Sequence, residues 1–307
     1  MRHFARSTPG PRPAPPRSLD VQDCYHYCEA IARAHHENFP RASRFVPELL
    51  RPHVWGLYAF VRSADDFADE PEFAGHRTAE LDKWEDHLLR AFHGEADHPI
   101  FVALARTVAE CDLPVTPFSD LIEAFRMDLK LRRHATWGDL GAYLARAAHP
   151  IGRLLLGVFG IKDTERLRYG DELSAALALT SFWQDVGRDL DRDRIYVPQE
   201  DLRHFGLSDA DLFARKSTPA LAALVRYECA RTRAVYERAR PLLGLVPGRI
   251  ALELGLFFHG GLRGLARTEA GADDAFRPRR PLSTLDKAFA LAGATQVRAA
   301  AFLGRRG

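Results

Sequence analysis

From Leu19 onward, apolar residues return at steps of three and four almost without interruption, the spacing that stripes one face of an α-helix. Ala is abundant and Val is sparse, a bias toward helix. No two-residue hairpin signal and no internal period competes with it. The spacing predicts helices over Tyr25–His36, Pro52–Glu70, Ala79–Phe92, Ile100–Cys111, Pro117–Leu131, Leu140–Phe159, Thr164–Leu190, Leu221–Leu243, Arg249–Ala266 and Thr284–Phe302. Breaks are expected at Pro40–Pro47, Pro71, Gly94–Pro99, Pro114–Pro117 and Pro241–Pro247. The expected fold class is all-α: one helical domain over 21–307, behind a disordered Pro/Arg-rich arm over 1–20.

Composition narrows the function classes. A net charge of +2 over 307 residues provides no field for holding nucleic acid by its phosphates. Of the 43 basic residues 38 are Arg, a side chain suited to phosphate recognition. The four cysteines show no ligand spacing, so they read as reduced thiols of a cytoplasmic protein. No signal-peptide stretch is evident, and the apolar segments near Ile151–Ile161 and Ile250–Leu262 are interrupted by Arg153 and Glu253 and fall short of the roughly 20 residues of a spanning helix. The glycine-rich run Gly255 to Gly264 follows no strand, which favours close helix packing or a cavity wall over a phosphate loop.

The segment RPHVWGLYAFVRSADDFADEP carries the chemistry. Val54, Leu57, Tyr58 and Val61 mark an apolar stripe whose continuation lands on Asp65 and Asp69, about 6 Å apart along the axis. Asp66 and Glu70 form a second acidic pair beside them. Such like-charge pairs cost roughly 0.2–0.5 kcal/mol each, and all four acids crowd a helix C-terminus, where the dipole disfavours anions. Helix stability would not choose this arrangement, and a divalent cation would neutralise it. Arg62, one turn before Asp66, reads from its spacing as an ordinary surface partner worth at most about 0.5–1 kcal/mol.

In DELSAALALTSFWQDVGRDLDRDRIYVPQEDL the stripe of Leu173, Leu177 and Thr180 runs on to Ser181, Asp185 and Asp189, with Asp191 and Asp193 beyond and Arg188, Arg192 and Arg194 interleaved. A solvated charged helix end accounts equally well for this segment alone. Two D-x-x-x-D pairs together suit Mg²⁺, or Mn²⁺ in its place, because such ions take one or two protein carboxylates and complete their shell with water and substrate phosphates. They would clamp a diphosphate over a central apolar cavity between two Asp-rich helices, with aromatic faces sheltering a carbocation. The adjacent His35 and His36 point to different helix faces and make a poor metal pair, and His134, His149 and His259 have no ligand spacing.

These motifs resemble those of the squalene and phytoene synthases, head-to-head isoprenoid synthases of all-α fold, from about Tyr25 to Lys287. YAFVRSADDFADE resembles the first Asp-rich motif and QDVGRDLDRDRIYVPQEDL the second. The resemblance implies Asp65, Asp69, Asp185 and Asp189 as metal–diphosphate ligands. It implies Arg62, Arg194 and Tyr196 on the diphosphate side, and Tyr58 and Tyr143 as polar aromatics of the cavity. HHENFPRASRFVPELLR resembles the substrate flap, with His35 and Asn38 near the diphosphate. FRPRRPLSTLDK resembles the C-terminal basic segment, with Arg279 and Lys287 as further contacts, although Ser283 and Asp286 also read as plain helix capping.

Condensing members of that family usually read N-x-x-R-D into the second motif, whereas here Ser181 and Gln184 replace the amide and the cation. Gln184-Asp185, ENFP and HPIGRLLL resemble the bacterial hopanoid-pathway branch, which resembles a hydroxysqualene synthase. That implies ionisation of presqualene diphosphate and capture of the cation by water without NADPH, with Gln184 or a tyrosine positioning the water. Ser181 stands where even this branch has Asn. The enzymatic rival condenses two prenyl diphosphates to presqualene diphosphate, squalene or phytoene. A non-catalytic lipid-binding or assembly factor has no need of two complete acid pairs. The expected partners are an isoprenoid diphosphate and neighbouring enzymes of hopanoid or squalene synthesis. Terminal arginines offer peripheral contact with the inner membrane.

Overall fold

The computed structural model describes residues 13–16, 18–34, 46–277, 283, 286 and 290–295 of the 307. Fourteen α-helices are delimited there: α1 Val21–Ala34, α2 Arg51–Asp69, α3 Arg77–Phe92, α4 Pro99–Cys111, α5 Thr116–Lys130, α6 Trp137–Ala147 and α7 His149–Val158. There follow α8 Thr164–Gln184, α9 Val186–Leu190, α10 Gln199–His204, α11 Asp209–Phe213, α12 Pro219–Ala239, α13 Leu242–Leu245 and α14 Gly248–Ala270. The only β pairing among the described residues is one isolated parallel bridge, Arg133 with Ile195. The all-α expectation is met.

The chain forms two compact units, Met1–Lys130 with Arg146–Leu167, and Leu131–Ala145 with Arg168–Gly307. It passes between them partly inside α6 and α8, so no linker composition marks the passage.

In the first unit α2 is the hub, packing against α1, α3, α4, α5 and α7. Being covered from several sides, it buries far more than the single predicted stripe, including Arg62 and Asp65. Phe60 anchors a ring cluster with Trp84, Phe101 and Phe118 at centroid distances of 5.4–6.0 Å. Two turns earlier on α2, His53 Nδ1 lies 3.0 Å from the Tyr25 hydroxyl and 3.1 Å from Thr107 Oγ1, tying α2 to α1 and α4. These neighbouring helices therefore fix the far end of α2, where the acids stand.

In the second unit the long helix predicted over Thr164–Leu190 is broken at Asp185 (φ −110°, ψ 15°) into α8 and α9. Thr180 and Ser181 donate back to the carbonyls of Ala176 and Leu177, at 2.8 and 3.1 Å, just ahead of the break. Such back-bonding bends helices. Downstream of α9, Arg133 locks the tail of the motif. Its Nη1 donates to Asp193 O at 2.7 Å, its Nη2 to Asp193 Oδ1 at 2.8 Å and its Nε to Asp209 Oδ2 at 2.5 Å. Backbone bonds from Ile195 N to Arg132 O and from Gln199 N to His134 O extend the seam. Asp193 sits at φ +54°, a left-handed turn that Asp tolerates better than most residues.

Further helix boundaries depart from the periodicity. Leu140–Phe159 divides at Ala148 into α6 and α7, which places Pro150 in a first turn, where its missing N–H costs nothing. Leu221–Leu243 divides near Pro241 into α12 and α13. The short helices α10 and α11 carry too few residues for a periodic signal. Of the predicted Thr284–Phe302, residues 286 and 290–295 are helical and the rest lies outside the described residues, as does most of the arm. Cys24, Cys28 and Cys229 are buried free thiols and Cys111 is half-buried, as expected of core positions.

Glu253 on α14 is 2% exposed, its Oε2 has no hydrogen-bond partner, and burial pushes its carboxyl up to about 8. The folded state thus holds a proton that the unfolded chain, at the ordinary glutamate value of 4.5, gives up. Stability from this group is therefore full below pH 4.5 and lost as pH rises toward 8. Glu253→Gln is expected to raise stability by on the order of 3 kcal/mol at pH 8.5 and not at pH 4.5, read by denaturation at both. Arg133→Ala is expected to cost about 1–2 kcal/mol and to speed amide exchange at Ile195 and Gln199, with little rescue by Lys, which lacks the fork.

Candidate active site

The first acid group stands at the end of α2. Arg62 is 5% exposed, so the surface-pair reading of it does not hold. Its Nη1 lies 3.2 Å from Asp65 Oδ2, its Nη2 donates to Asp66, and Glu70 Oε1 is 3.7 Å away. One guanidinium thus serves three of the four acids and lends them order. Asp65 is 2% exposed, while Asp66, Asp69 and Glu70 are half-buried. The expected inward turn of the stripe at Asp65 is seen. Tyr58, nearly two turns earlier, is fully buried.

The second acid group occupies the break and the one-turn helix after it. Asp185 is 4% exposed and Asp189 5%. Their spacing is kept because Asp189 N still bonds Asp185 O, at 2.9 Å. Arg194 N in turn bonds Asp189 O at 2.9 Å, which folds the tail back toward α9. The solvated-end reading does not describe these acids. Farther along, Asp191 and Asp193 take partners from distant segments, Arg215 for Asp191 and Arg133 for Asp193.

Phe182, Asp189, Arg194, Tyr196 and Leu212 line one small crevice with room for about a single water molecule. Tyr196 stacks on Phe182 at 3.9 Å and 5°, too close to admit anything between the rings. Tyr143 and His134 border the same stack, with centroids 6.0 and 5.9 Å from Tyr196. Burial lowers His134 to about 4, so its ring is neutral and acts as part of an aromatic wall. Tyr143, Tyr196, Arg194 and Asp189 are thus neighbours within the second unit.

Gln184 closes α8. Its Oε1 is buried with no hydrogen-bond partner, and its Nε2 lies 2.8 Å from where a Cβ on Gly264 of α14 would stand. The Ser181 hydroxyl is committed to Leu177 O, which accounts for it as a helix-bonding group rather than a substitute for an amide. His35, Asn38, Arg279 and Lys287 lie outside the described residues. Ser283 and Asp286 form the capping pair, with Asp286 N 3.1 Å from Ser283 Oγ and Ser283 N 3.0 Å from Asp286 Oδ2.

Three positions escaped the motif reading. Arg133 is one. Gly187 is another, since a Cβ there would come within 2.9 Å of the Phe276 carbonyl oxygen, so the glycine inside DVGRD admits a passing backbone. Gly264 is the third; the glycine-rich run was legible as a close helix contact, but not which side chain it receives.

Among the described residues no group of three or more His, Cys, Asp or Glu forms a self-sufficient metal cage. The donor set still fits Mg²⁺, which needs only one or two carboxylates when a phosphate ligand supplies the rest. Buried and half-buried carboxylates in i,i+4 pairs have the required hard-oxygen chemistry.

Likenesses to known proteins are specific. A 15-cis-phytoene synthase of Synechococcus elongatus is 34% identical over 73% of this chain and 77% of its own. Phytoene synthase 3 of Zea mays is 32% identical, and this chain spans only 58% of its length. The crystal structure of squalene synthase HpnC from Alicyclobacillus acidocaldarius superposes with a TM-score of 0.79 at 42% identity, over 85% of this chain and 98% of that one. A dehydrosqualene synthase in complex with ligand shares the fold with a TM-score of 0.83 at 24% identity, over 91% of this chain and 98% of its own. The family model described as squalene/phytoene synthase matches residues 32–286, and the chain belongs to that family of head-to-head prenyl diphosphate enzymes.

Proposed function

We propose that the protein ionises presqualene diphosphate and quenches the rearranged cation with water, giving hydroxysqualene and diphosphate. The observation that carries this reading is Gln184, whose buried Oε1 has no partner at the position where condensing relatives carry Arg. The 42% identity to the HpnC structure supports the same branch. The condensing reaction, from two prenyl diphosphates to presqualene diphosphate, squalene or phytoene, is favoured by the 34% identity to a phytoene synthase and is the second reading.

In the proposed reaction Asp65, Asp69, Asp185 and Asp189 hold Mg²⁺ or Mn²⁺. When bound, the metal supplies Lewis-acid charge that stabilises the departing diphosphate. Arg194 and Tyr196, beside Asp189, contact the diphosphate, and Arg62 orients the first acid group. His35, Asn38, Arg279 and Lys287 are proposed as further diphosphate contacts. The C–O bond to diphosphate breaks with both electrons leaving on oxygen. Tyr58, Tyr143 and the Phe182–Tyr196 wall exclude bulk water from the cation, whose charge their π faces stabilise. One water then forms the new C–O bond, and its proton passes to the released diphosphate or to solvent. No reductant enters, so NADPH has no role. No described helix is long and apolar enough to cross a membrane. We propose a cytoplasmic protein that meets its lipid substrate by peripheral contact, next to other enzymes of squalene or hopanoid synthesis.

Product analysis tests this reading. With Mg²⁺ and presqualene diphosphate the product is expected to be hydroxysqualene, unchanged by NADPH; presqualene diphosphate, squalene or phytoene made from farnesyl or geranylgeranyl diphosphate would instead establish the condensing reaction. Asp→Asn at Asp65, Asp69, Asp185 or Asp189 is expected to slow diphosphate release by about a hundredfold or more. Pyrophosphate with Mg²⁺ is expected to raise the wild-type Tm by about 2–4 °C, and the same variants to lose that shift. No shift in the wild type would favour a non-catalytic family member.

A further inference from the structure

Gly264 lies inside α14, in ordinary helical conformation, where glycine costs about 1 kcal/mol relative to Ala. No turn or positive φ requires it, and close approach explains it. A Cβ at this position would stand 2.8 Å from Gln184 Nε2, 3.8 Å from Gln184 Cδ and 3.6 Å from Thr180 Cγ2. Thr180 is itself fixed, its Oγ1 lying 2.8 Å from Ala176 O and 2.9 Å from the Tyr236 hydroxyl. The amide of Gln184 therefore rests in a notch whose floor is Gly264 and whose side is an immobilised threonine. With Nε2 against that floor, Oε1 is left buried and without a hydrogen-bond partner. An unmet buried acceptor costs about 1–3 kcal/mol, so a bound donor would be welcomed there.

We infer that Gly264 is a positioning residue: it seats the Gln184 amide so that Oε1 accepts a hydrogen bond from the water that captures the cation. This rests on the hydroxysqualene reading and adds to it the element that decides the fate of the cation. An amide oxygen accepts a hydrogen bond but not the proton. The water gives its lone pair to carbon, the C–O bond forms, and the proton leaves for the diphosphate released in the preceding step. Gly264 touches neither substrate nor water; it acts through Gln184.

The test compares wild type, Gly264→Ala, Gln184→Asn and the double variant, each with two readouts. One needs no substrate: ¹⁵N-labelled glutamine side chains give four NH₂ signals, and the one lost in Gln184→Asn reports the seat. The other is the product mixture from presqualene diphosphate with Mg²⁺, set against total diphosphate released. Gly264→Ala is expected to fold, because Ala favours helix and its new contact is the far end of a flexible side chain. It should shift the Gln184 signal and keep diphosphate release within about threefold, while lowering the hydroxylated fraction of product about tenfold. The shorter Asn of the double variant should recover part of that fraction. An unmoved signal overturns the inference, and so does a loss of diphosphate release with product proportions unchanged, the mark of a merely structural glycine. A wild type that instead condenses farnesyl diphosphate removes the hydroxysqualene reading. The water-positioning role then falls with that reading, and the seat is judged by the substrate-free signal: moved in Gly264→Ala it supports the seat, unmoved it overturns the seat as well.

Discussion

Asp65, Asp185 and Asp189 are each at most 5% exposed, and taking a carboxylate out of water costs several kcal/mol unless partners compensate. Most of the surrounding architecture can be derived from that constraint. Charges this expensive are kept only where the backbone holding them is supported from elsewhere. α2 is held by five helices and by the Phe60 and His53 contacts, so its last turn presents Asp65 whatever the local electrostatics prefer. Arg62, buried beside three acids, lends the group order without leaving the helix that carries them.

The second acid group meets the same demand by other means. Asp185 and Asp189 stand at a break and on a single helical turn, which cannot support itself. Its support comes from outside: Arg133 grips Asp193, the bridge at Ile195 holds the strand-like tail, and Gly187 lets the Phe276 backbone close over it. One acid pair is thus fixed by a continuous helix in a dense core, and the other by a seam of long-range hydrogen bonds. The two motifs have the same residue spacing and different mechanics.

That difference also explains what could be read from the sequence. Continuing the apolar stripe of Val54, Leu57 and Val61 leads to Asp65, and the stripe of Leu173, Leu177 and Thr180 leads to Asp185 and Asp189, because burial propagates along a helix face. The break at Asp185 is hidden, since no Pro or Gly stands in the helical turn before it and the hydroxyl back-bonding one turn upstream leaves no periodic signal. Pro150 carries a signal at a second such boundary, but the apolar run around it conceals the break at Ala148. The grip of Arg133 spans 60 residues in sequence, beyond any i,i+4 argument. Gly187 and Gly264 were visible as glycines, but what approaches them comes from distant segments of the chain.

The chemistry at position 184 follows from what its side chain can and cannot offer. An arginine there would present five N–H donors and no acceptor. Water bonded to it would spend one of its two oxygen lone pairs on the guanidinium, leaving it a poorer nucleophile toward a carbocation. It would also add a fixed positive charge beside a site that, in the proposed reaction, must develop one. Glutamine removes that charge, and its Oε1, left without a partner by the seating of Nε2 on Gly264, can take a water proton in a hydrogen bond. The oxygen lone pair is then free to face carbon. A hydride-accepting reaction has no use for such a water, whereas the proposed water-captured cation needs one oriented in this way; on that proposal, exchanging a donor for an acceptor at this point would change which nucleophile reaches the cation first.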